Sequence, residues 1–478
     1  MEQNNRILFI NPIKIRPVVG PIAFDYLGHV LKLNGYIIDF IDNSFSTDIK
    51  NSLKNYLNQY KPLAIGITVR NTDDCYFQSQ SSFIDEIKEM ATLIKSIQSA
   101  PIILGGVGFS LAPEAIMNHC GVDFGVQGDG EEALLLFLKE LQKNQNYSKI
   151  PNLIHRKNGK LIRNPSKFVD LNLLGSPTRK IINNLNYFKE GGQGNIETKR
   201  GCDRKCIYCA DPVSKGRVIR FKDPQLVCDE FRALIEQKVT CFHLCDSEFN
   251  NSIKHTEGVC KAIIEEGLNE KMTWYAYCIP KPFSDELGQL MKDAGCVGID
   301  FGVDSGDNNI LKTLKRDFTV RDIIKTAEVC KSLNIIFMYD LLIGGPGETN
   351  NSIKNTIELM KKISPNRVGL SIGIRIYPGT EFAKLVIEQG PLQQNPNIFG
   401  VKENNSEFLK PIFYLSSEMG GKSCFSYISK LVGKDSLFFF ADPEEQDQNY
   451  NYNENLLLVN AIKNGYRGAY WDILRRLA

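Results

Sequence analysis

Net charge is nearly absent from this chain, with 57 Lys and Arg against 55 Asp and Glu in 478 residues. That balance gives no electrostatic basis for binding nucleic acid or an anionic membrane. Long apolar runs are missing too: Ile7-Leu8-Phe9-Ile10, after polar Glu2 to Asn5, is too short for a secretory signal or a membrane span. Histidine is scarce, and none of the five is spaced from another as a metal-ligand pair. His243 therefore reads as strand packing. The 13 cysteines show no paired framework outside one cluster, as expected of reduced thiols in a cytoplasmic protein. At 42% hydrophobic residues, the chain can bury cores for two or three domains.

What is present is concentrated in one loop, Lys199-Arg200-Gly201-Cys202-Asp203-Arg204-Lys205-Cys206-Ile207-Tyr208-Cys209, with thiols at C-x3-C-x2-C spacing. Three thiolates are one ligand short of a closed structural zinc site. They suit a cubic iron-sulfur cluster with one iron left open to a small molecule.

This loop resembles that of the radical S-adenosylmethionine (SAM) superfamily, which follows the first strand of a partial (β/α)6 barrel. The resemblance implies that Cys202, Cys206 and Cys209 hold a [4Fe-4S] cluster whose unique iron chelates the amino and carboxyl groups of SAM. Tyr208 would pack over that cluster.

Ahead of the loop, strand and helix signals alternate. Strands are expected at Ile7–Ile10, Tyr36–Ile41, Ala64–Val69 and Ile102–Gly106, with a helix near Ile84–Ile97. The pattern predicts a parallel, doubly wound sheet whose ligands lie beyond the carboxyl ends of its strands. Those ends carry Arg70-Asn71, Gly105-Gly106-Val107-Gly108 and Gly128-Asp129-Gly130-Glu131. Such a domain directly before a radical SAM barrel looks like the cobalamin-binding subgroup. No D-x-H-x-x-G sequence occurs, so cobalamin is expected to lack a lower histidine ligand. The expected divisions are a Rossmann-like cobalamin-binding domain over 1–142, a linker over 143–195, the barrel over 196–390 and a small helical C-terminal extension over 391–478. Within the extension a polar, acidic loop spans Glu444 to Tyr452.

Inside the barrel, Glu248, with Asp246 second, matches the position where the superfamily receives the SAM amino group. Asp304-Ser305 looks like the ribose-contact motif, and Gly344-Gly345-Pro346-Gly347-Glu348 like the segment beside the adenine. Arg375 resembles a sixth-strand residue that grips a carboxylate or ribose oxygen. Gly105, Gly106, Gly108, Gly128, Gly130, Glu131, Arg70 and Asn71 are the corresponding expectations for cobalamin. Arg70, just beyond the third strand, looks like the tryptophan C2-methyltransferase branch, in which an arginine faces cobalt without ligating it and favours polar transfer. The segment Gly465 to Leu474 resembles that branch too and suits a docking helix that closes the barrel. Trp274-Tyr275-Ala276-Tyr277-Cys278 places Tyr275 and Tyr277 as candidates to line the substrate pocket.

The resemblance implies a methyltransferase that moves a methyl group from SAM through cobalamin to a carbon of a small molecule, an indole such as tryptophan being one acceptor. A flavodoxin or ferredoxin would donate electrons. Cobalamin-assisted radical rearrangement or ring formation and a non-catalytic metal-binding module are the alternatives left open. A methylthiotransferase acting on RNA is disfavoured by the neutral charge.

Overall fold

The computed structural model describes residues 5–440 and 452–477; most of the expected acidic loop, 444–451, lies outside the described residues. No helix among them is long and apolar enough to cross a membrane.

The first sheet runs in the order β2-β1-β3-β4-β5-β6-β7. Its strands are β1 (Arg6–Asn11), β2 (Ile37–Asp42), β3 (Ala64–Thr68), β4 (Ile102–Gly105), β5 (Phe124–Val126), β6 (Leu153–Lys157) and β7 (Lys160–Arg163). The first five are parallel. Alternation along them fixes the layers: Leu8, Ile10, Ile65 and Ile67 enter one core, while Ile7, Phe9, Ala64 and Ile103 enter the other. Helices cover both faces, as a doubly wound sheet requires.

Much of the stretch expected to be linker belongs to this domain. β6 and β7 form a hairpin that extends the sheet antiparallel, with Phe124 opposite His155 and Lys157 opposite Lys160. Asn158 and Gly159 turn it with positive φ at both residues, the geometry that an Asn-Gly pair favours.

The second sheet is the barrel. β8 (Gly194–Ile196) begins it, and a short ribbon of β9 (Lys199–Arg200) and β10 (Arg220–Phe221) frames the cysteine loop. β11 (Cys241–Leu244), β12 (Thr273–Cys278), β13 (Cys296–Asp304), β14 (Phe337–Ile343) and β15 (Arg367–Ile372) follow, all parallel to their neighbours. Beyond β15, β16 (Ile374–Arg375), β17 (Ile398–Gly400) and β18 (Ile412–Tyr414) make a small antiparallel sheet. The C-terminal extension contains helices, as expected, and strands besides: β17, β18 and β19 (Phe438–Phe440), which adds a seventh parallel strand against β15. Burial explains why Phe438-Phe439-Phe440 forms a strand, since an aromatic run fits a pleated surface covered on both faces.

Buried charge joins the two halves. The fully buried Arg179 bonds Asp25 of the first domain at 2.9 Å and Glu230 of a barrel helix at 3.1 Å. Arg200 does the same beside the cysteine loop, reaching Asp129 at 2.9 Å, Glu131 at 3.1 Å and Glu197 at 2.9 Å.

Candidate active site between the two sheets

The cysteine loop leaves β9 through Gly201, whose φ is +97° and where a Cβ would lie 2.3 Å from the carbonyl oxygen of Val218. Only glycine fits there. Cys202 N–H donates to Gly216 O at 3.0 Å and Ile207 N–H to Leu314 O at 3.2 Å, so backbone bonds hold the loop open. The three thiols line one cavity with Ser247, Glu248, Gly302, Asp304 and Arg316. Burial pushes all three thiols up, Cys206 to about 11, and the neighbouring thiols and acids push in the same direction. Thiolates there require nearby positive charge, which iron supplies. Among the described residues no trio of His, Cys, Asp or Glu converges on a single metal ion.

Glu248 faces the same cavity, with Oε2 buried and without a hydrogen-bond partner. Burial raises its carboxyl to about 7, against the lowering pull of Arg316 and Lys199. An orphaned carboxylate oxygen beside the thiols fits an ammonium group supplied by a ligand. Opposite stands Arg316, which sequence reasoning did not single out. Its Nη1 contacts Cys206 Sγ at 3.2 Å and Tyr208 Oη at 3.1 Å, Nη2 donates to Gly302 O at 2.5 Å, and Nε lies 3.3 Å from Asp304. Its signal was its place, directly after the helix that follows the Asp304-Ser305 motif. Asp304 itself adopts φ +60° and accepts the Tyr208 hydroxyl at 2.6 Å.

Other candidates are engaged by the protein. Asp246 accepts from Thr198 N at 2.8 Å, Lys199 N at 3.2 Å and Thr198 Oγ1 at 2.5 Å, so it fastens the approach to the loop rather than reaching the cavity. Ser305 is wholly buried and caps Asp307 N at 3.1 Å. Gly344 and Gly345 donate their N–H groups to Glu348 at 2.6 and 3.1 Å, which sets the shape of that turn. Arg375 has every guanidinium nitrogen taken: Nε and Nη2 bond Asp73 at 3.0 and 2.8 Å, Nη2 also bonds Phe408 O at 3.2 Å, and Nη1 donates to Ile376 O. It is an anchor between the domains. Tyr275 donates to Asp472 at 2.9 Å and packs edge-on to Trp471, which puts it in the barrel floor and not at the substrate surface expected for it.

At the carboxyl ends of β1, β3 and β4 lies a cleft lined by Phe24, Leu27, Gly105, Gly106, Gly128, Gly130 and Glu131 among others. A Cβ at Gly105 or Gly128 would meet only one protein atom, at 3.8 and 3.9 Å, and would project into space a bulky ligand could use. Apolar walls with a few polar groups fit a large organic cofactor. Gly108 lies apart from this cleft, and a Cβ there would come within 2.9 Å of the 69–71 backbone, while Glu131 pairs with Arg200.

A neighbouring cavity holds Arg70 and Asn71. Arg70 donates to Val19 O at 3.3 Å and makes no ion pair among those found in the described residues. Burial lowers its pKa, opposed by Tyr470, Tyr187, Cys245 and Cys75 around it. Tyr277 is 43% exposed, yet Asp300, Asp340, Cys245 and Tyr470 all act on its hydroxyl. Accessible side chains ringed by residues from both domains line an internal chamber between the sheets.

Comparison with known proteins agrees with this architecture. A family profile for the radical SAM superfamily matches residues 196–360, and one for the B12 binding domain matches residues 11–138. Tryptophan 2-C-methyltransferase of Streptomyces laurentii is 28% identical, over 81% of this chain and 76% of its own. The radical SAM methyltransferase TsrM of Kitasatospora setae, solved with tryptophan and a SAM analogue, superposes with a TM-score of 0.92 at 26% identity, covering 99% of this chain and 97% of that one. Its structure with cobalamin and a [4Fe-4S] cluster gives 0.88 at 25% identity, covering 99% and 98%. Similarity thus runs through both sheets and the extension, and the chain belongs to the cobalamin-binding radical SAM enzymes, among relatives that are methyltransferases.

Proposed function

We propose that this cobalamin-dependent radical SAM methyltransferase places its methyl group on a carbon of an indole, with tryptophan as the acceptor. The observation that carries the reading is Arg70, a cation without an ion-pair partner among the described residues, in the chamber between the domains of a chain that lacks a D-x-H-x-x-G histidine. When bound, the cluster, SAM and cobalamin supply the methyl donor and the metal centre that relays it.

The protein's own residues bind and orient. Cys202, Cys206 and Cys209 provide the cluster ligands at the barrel mouth. Glu248 faces the cavity as a carboxylate matched to the ammonium end of an amino-acid ligand, and Arg316, held by Gly302 and Asp304, adds positive charge beside it. Asp304, steadied by Tyr208 and Arg316, presents a carboxylate for ribose hydroxyls. Arg70 brings fixed positive charge to the chamber, which favours an electron-rich centre facing it and opposes coordination by water. Tyr277 lines the acceptor side. The reduced thiols suit the cytoplasm, where flavodoxin or ferredoxin would supply electrons.

Anaerobic reconstitution with cobalamin, methyl-labelled SAM and a panel of indoles including tryptophan tests the reading. Label on an indole carbon, without one deoxyadenosine released per product, is the expected result. Transfer to other acceptors with silence across all indoles would overturn the acceptor; label absent from every product would overturn methyl transfer.

A further inference from the structure

Behind Tyr277 the barrel interior carries an acidic wall, Asp300 and Asp340, that neither the cysteine cavity nor the cleft of the first domain includes. Along β13, Phe301 packs outward on Phe283 and Phe337, so Asp300, Gly302 and Asp304 point inward. β14 alternates likewise: Tyr339 reaches out to Ile323 O at 2.6 Å, leaving Asp340 inside. In register, Asp300 pairs with Tyr277 and Gly302 with Asp340, which sets both carboxyls and the phenol on one wall. Asp300 and Asp304 stand opposite Met338 and Leu341 of β14, so three residues of strand, at about 3.3 Å each, put Asp300 roughly 10 Å deeper than Asp304, below the cluster cavity and toward the barrel floor.

Asp300 is only 4% exposed, and its Oδ1 is buried without a hydrogen-bond partner. Burial first, then Asp340 and Glu248, push its carboxyl up, and no cation among the described residues offsets them. His243, its ring 4.6 Å from that of Tyr277 and tilted to it by 50°, does not supply the charge, since burial lowers it to about 4 and leaves it neutral. A buried carboxylate costs free energy unless it is paired. The protein provides acids and aromatic faces here, the combination that recognises an ammonium ion.

We propose that Asp300, with Asp340 beside it, receives the ammonium group of the methyl acceptor, so that the acceptor class is a primary amine, an amino acid or arylalkylamine, and not a neutral indole. The inference rests on the proposed acceptor and narrows it. Tyr277 flanks the site and can donate to the same ligand.

The test is calorimetric binding to the anaerobically reconstituted holoenzyme with two matched pairs: tryptophan against indole-3-propionate, and tryptamine against 3-methylindole. In the wild type each amine is expected to bind about 10- to 100-fold more tightly than its partner. The isosteric Asp300→Asn should weaken both amines at least about 10-fold and leave the two amine-free ligands within about 2-fold; Asp340→Asn should act in the same direction. Unchanged binding of the amine-free ligands is the check that the chamber is intact. Equal affinities within each wild-type pair, or equal losses across all four ligands in both variants, overturn the ammonium site, while methyl transfer to tryptophan, assayed alongside, reports separately on the indole reading. If the wild type binds no indole, phenethylammonium decides: a fall of about 10-fold in Asp300→Asn sustains the site, and an unchanged affinity overturns it.

Discussion

Replacing Arg375 with alanine removes a guanidinium that ties β16 to the loop bearing Arg70 and Cys75. Asp73, wholly buried, would keep Thr72 Oγ1 at 2.9 Å and Cys75 N at 3.0 Å as donors but lose its one ion-pair partner among the described residues. Breaking a buried pair from one side typically costs about 3–5 kcal/mol, most of it the penalty of the stranded charge. Phe77 of the same loop packs on Phe399, Phe413 and Phe425, so the loop would stay attached but loosen at its Arg70 end. Urea unfolding of Arg375→Ala, Asp73→Ala and the double variant should show single losses that sum to more than the double loss by at least about 1.5 kcal/mol. SAM affinity, measured on the folded protein, should hold within about 3-fold, because no nitrogen of Arg375 is free for a ligand. An unfolding midpoint equal to wild type together with a collapse of SAM binding would refute the anchor and restore Arg375 as a cofactor contact.

Cys202→Ala, Cys206→Ala or Cys209→Ala should each abolish the visible absorbance and stoichiometric iron of the reconstituted cluster, read by iron and sulfide analysis, with zinc unable to substitute. Gly106→Ala forces a Cβ to 2.7 Å from Val69 O at φ +108°; it should cost about 1–3 kcal/mol and lower the cobalamin retained through gel filtration. Glu348 is fully buried, and burial raises its carboxyl from 4.5 to about 7. The folded state therefore binds more protons than the unfolded one between those values, and this group's contribution to stability falls as pH rises from 4.5 to 7. Glu348→Gln keeps an acceptor for Gly344 and Gly345 and removes that slope, so its stability relative to wild type should climb by on the order of 3 kcal/mol across that window and level off above it. A flat difference over that range of pH would count against the buried ionisation.

The parallel strands were legible because each is a short apolar run buried on both faces, and the cysteine loop because its spacing carries chemistry by itself. The hairpin of β6 and β7 was harder to read: its edge strand, Lys160-Leu161-Ile162-Arg163, faces water and has no apolar stripe. β19 was hidden for a different reason, since its pairing with β15 joins segments about 70 residues apart that no local pattern links. Within the site, residue type told less than position. Glu248 and Asp246 are both carboxylate residues and lie two residues apart, but one has an orphaned oxygen and the other has both oxygens filled. Arg316 went unread because a lone cation after a helix looks like any solvated residue, and Asp300 because a single acid in a β-rich run shows its cost only when the strand is placed inside a barrel.

The contact between Tyr275 and Asp472 spans 197 residues of sequence and seals the lower end of the barrel. Loop closure over such a distance is late and slow. A refolding chain should regain its helices and inner strands well before its interior becomes watertight, so early folded species would present an open tube, through which solvent and oxygen could reach a newly inserted iron centre until the last helix docks.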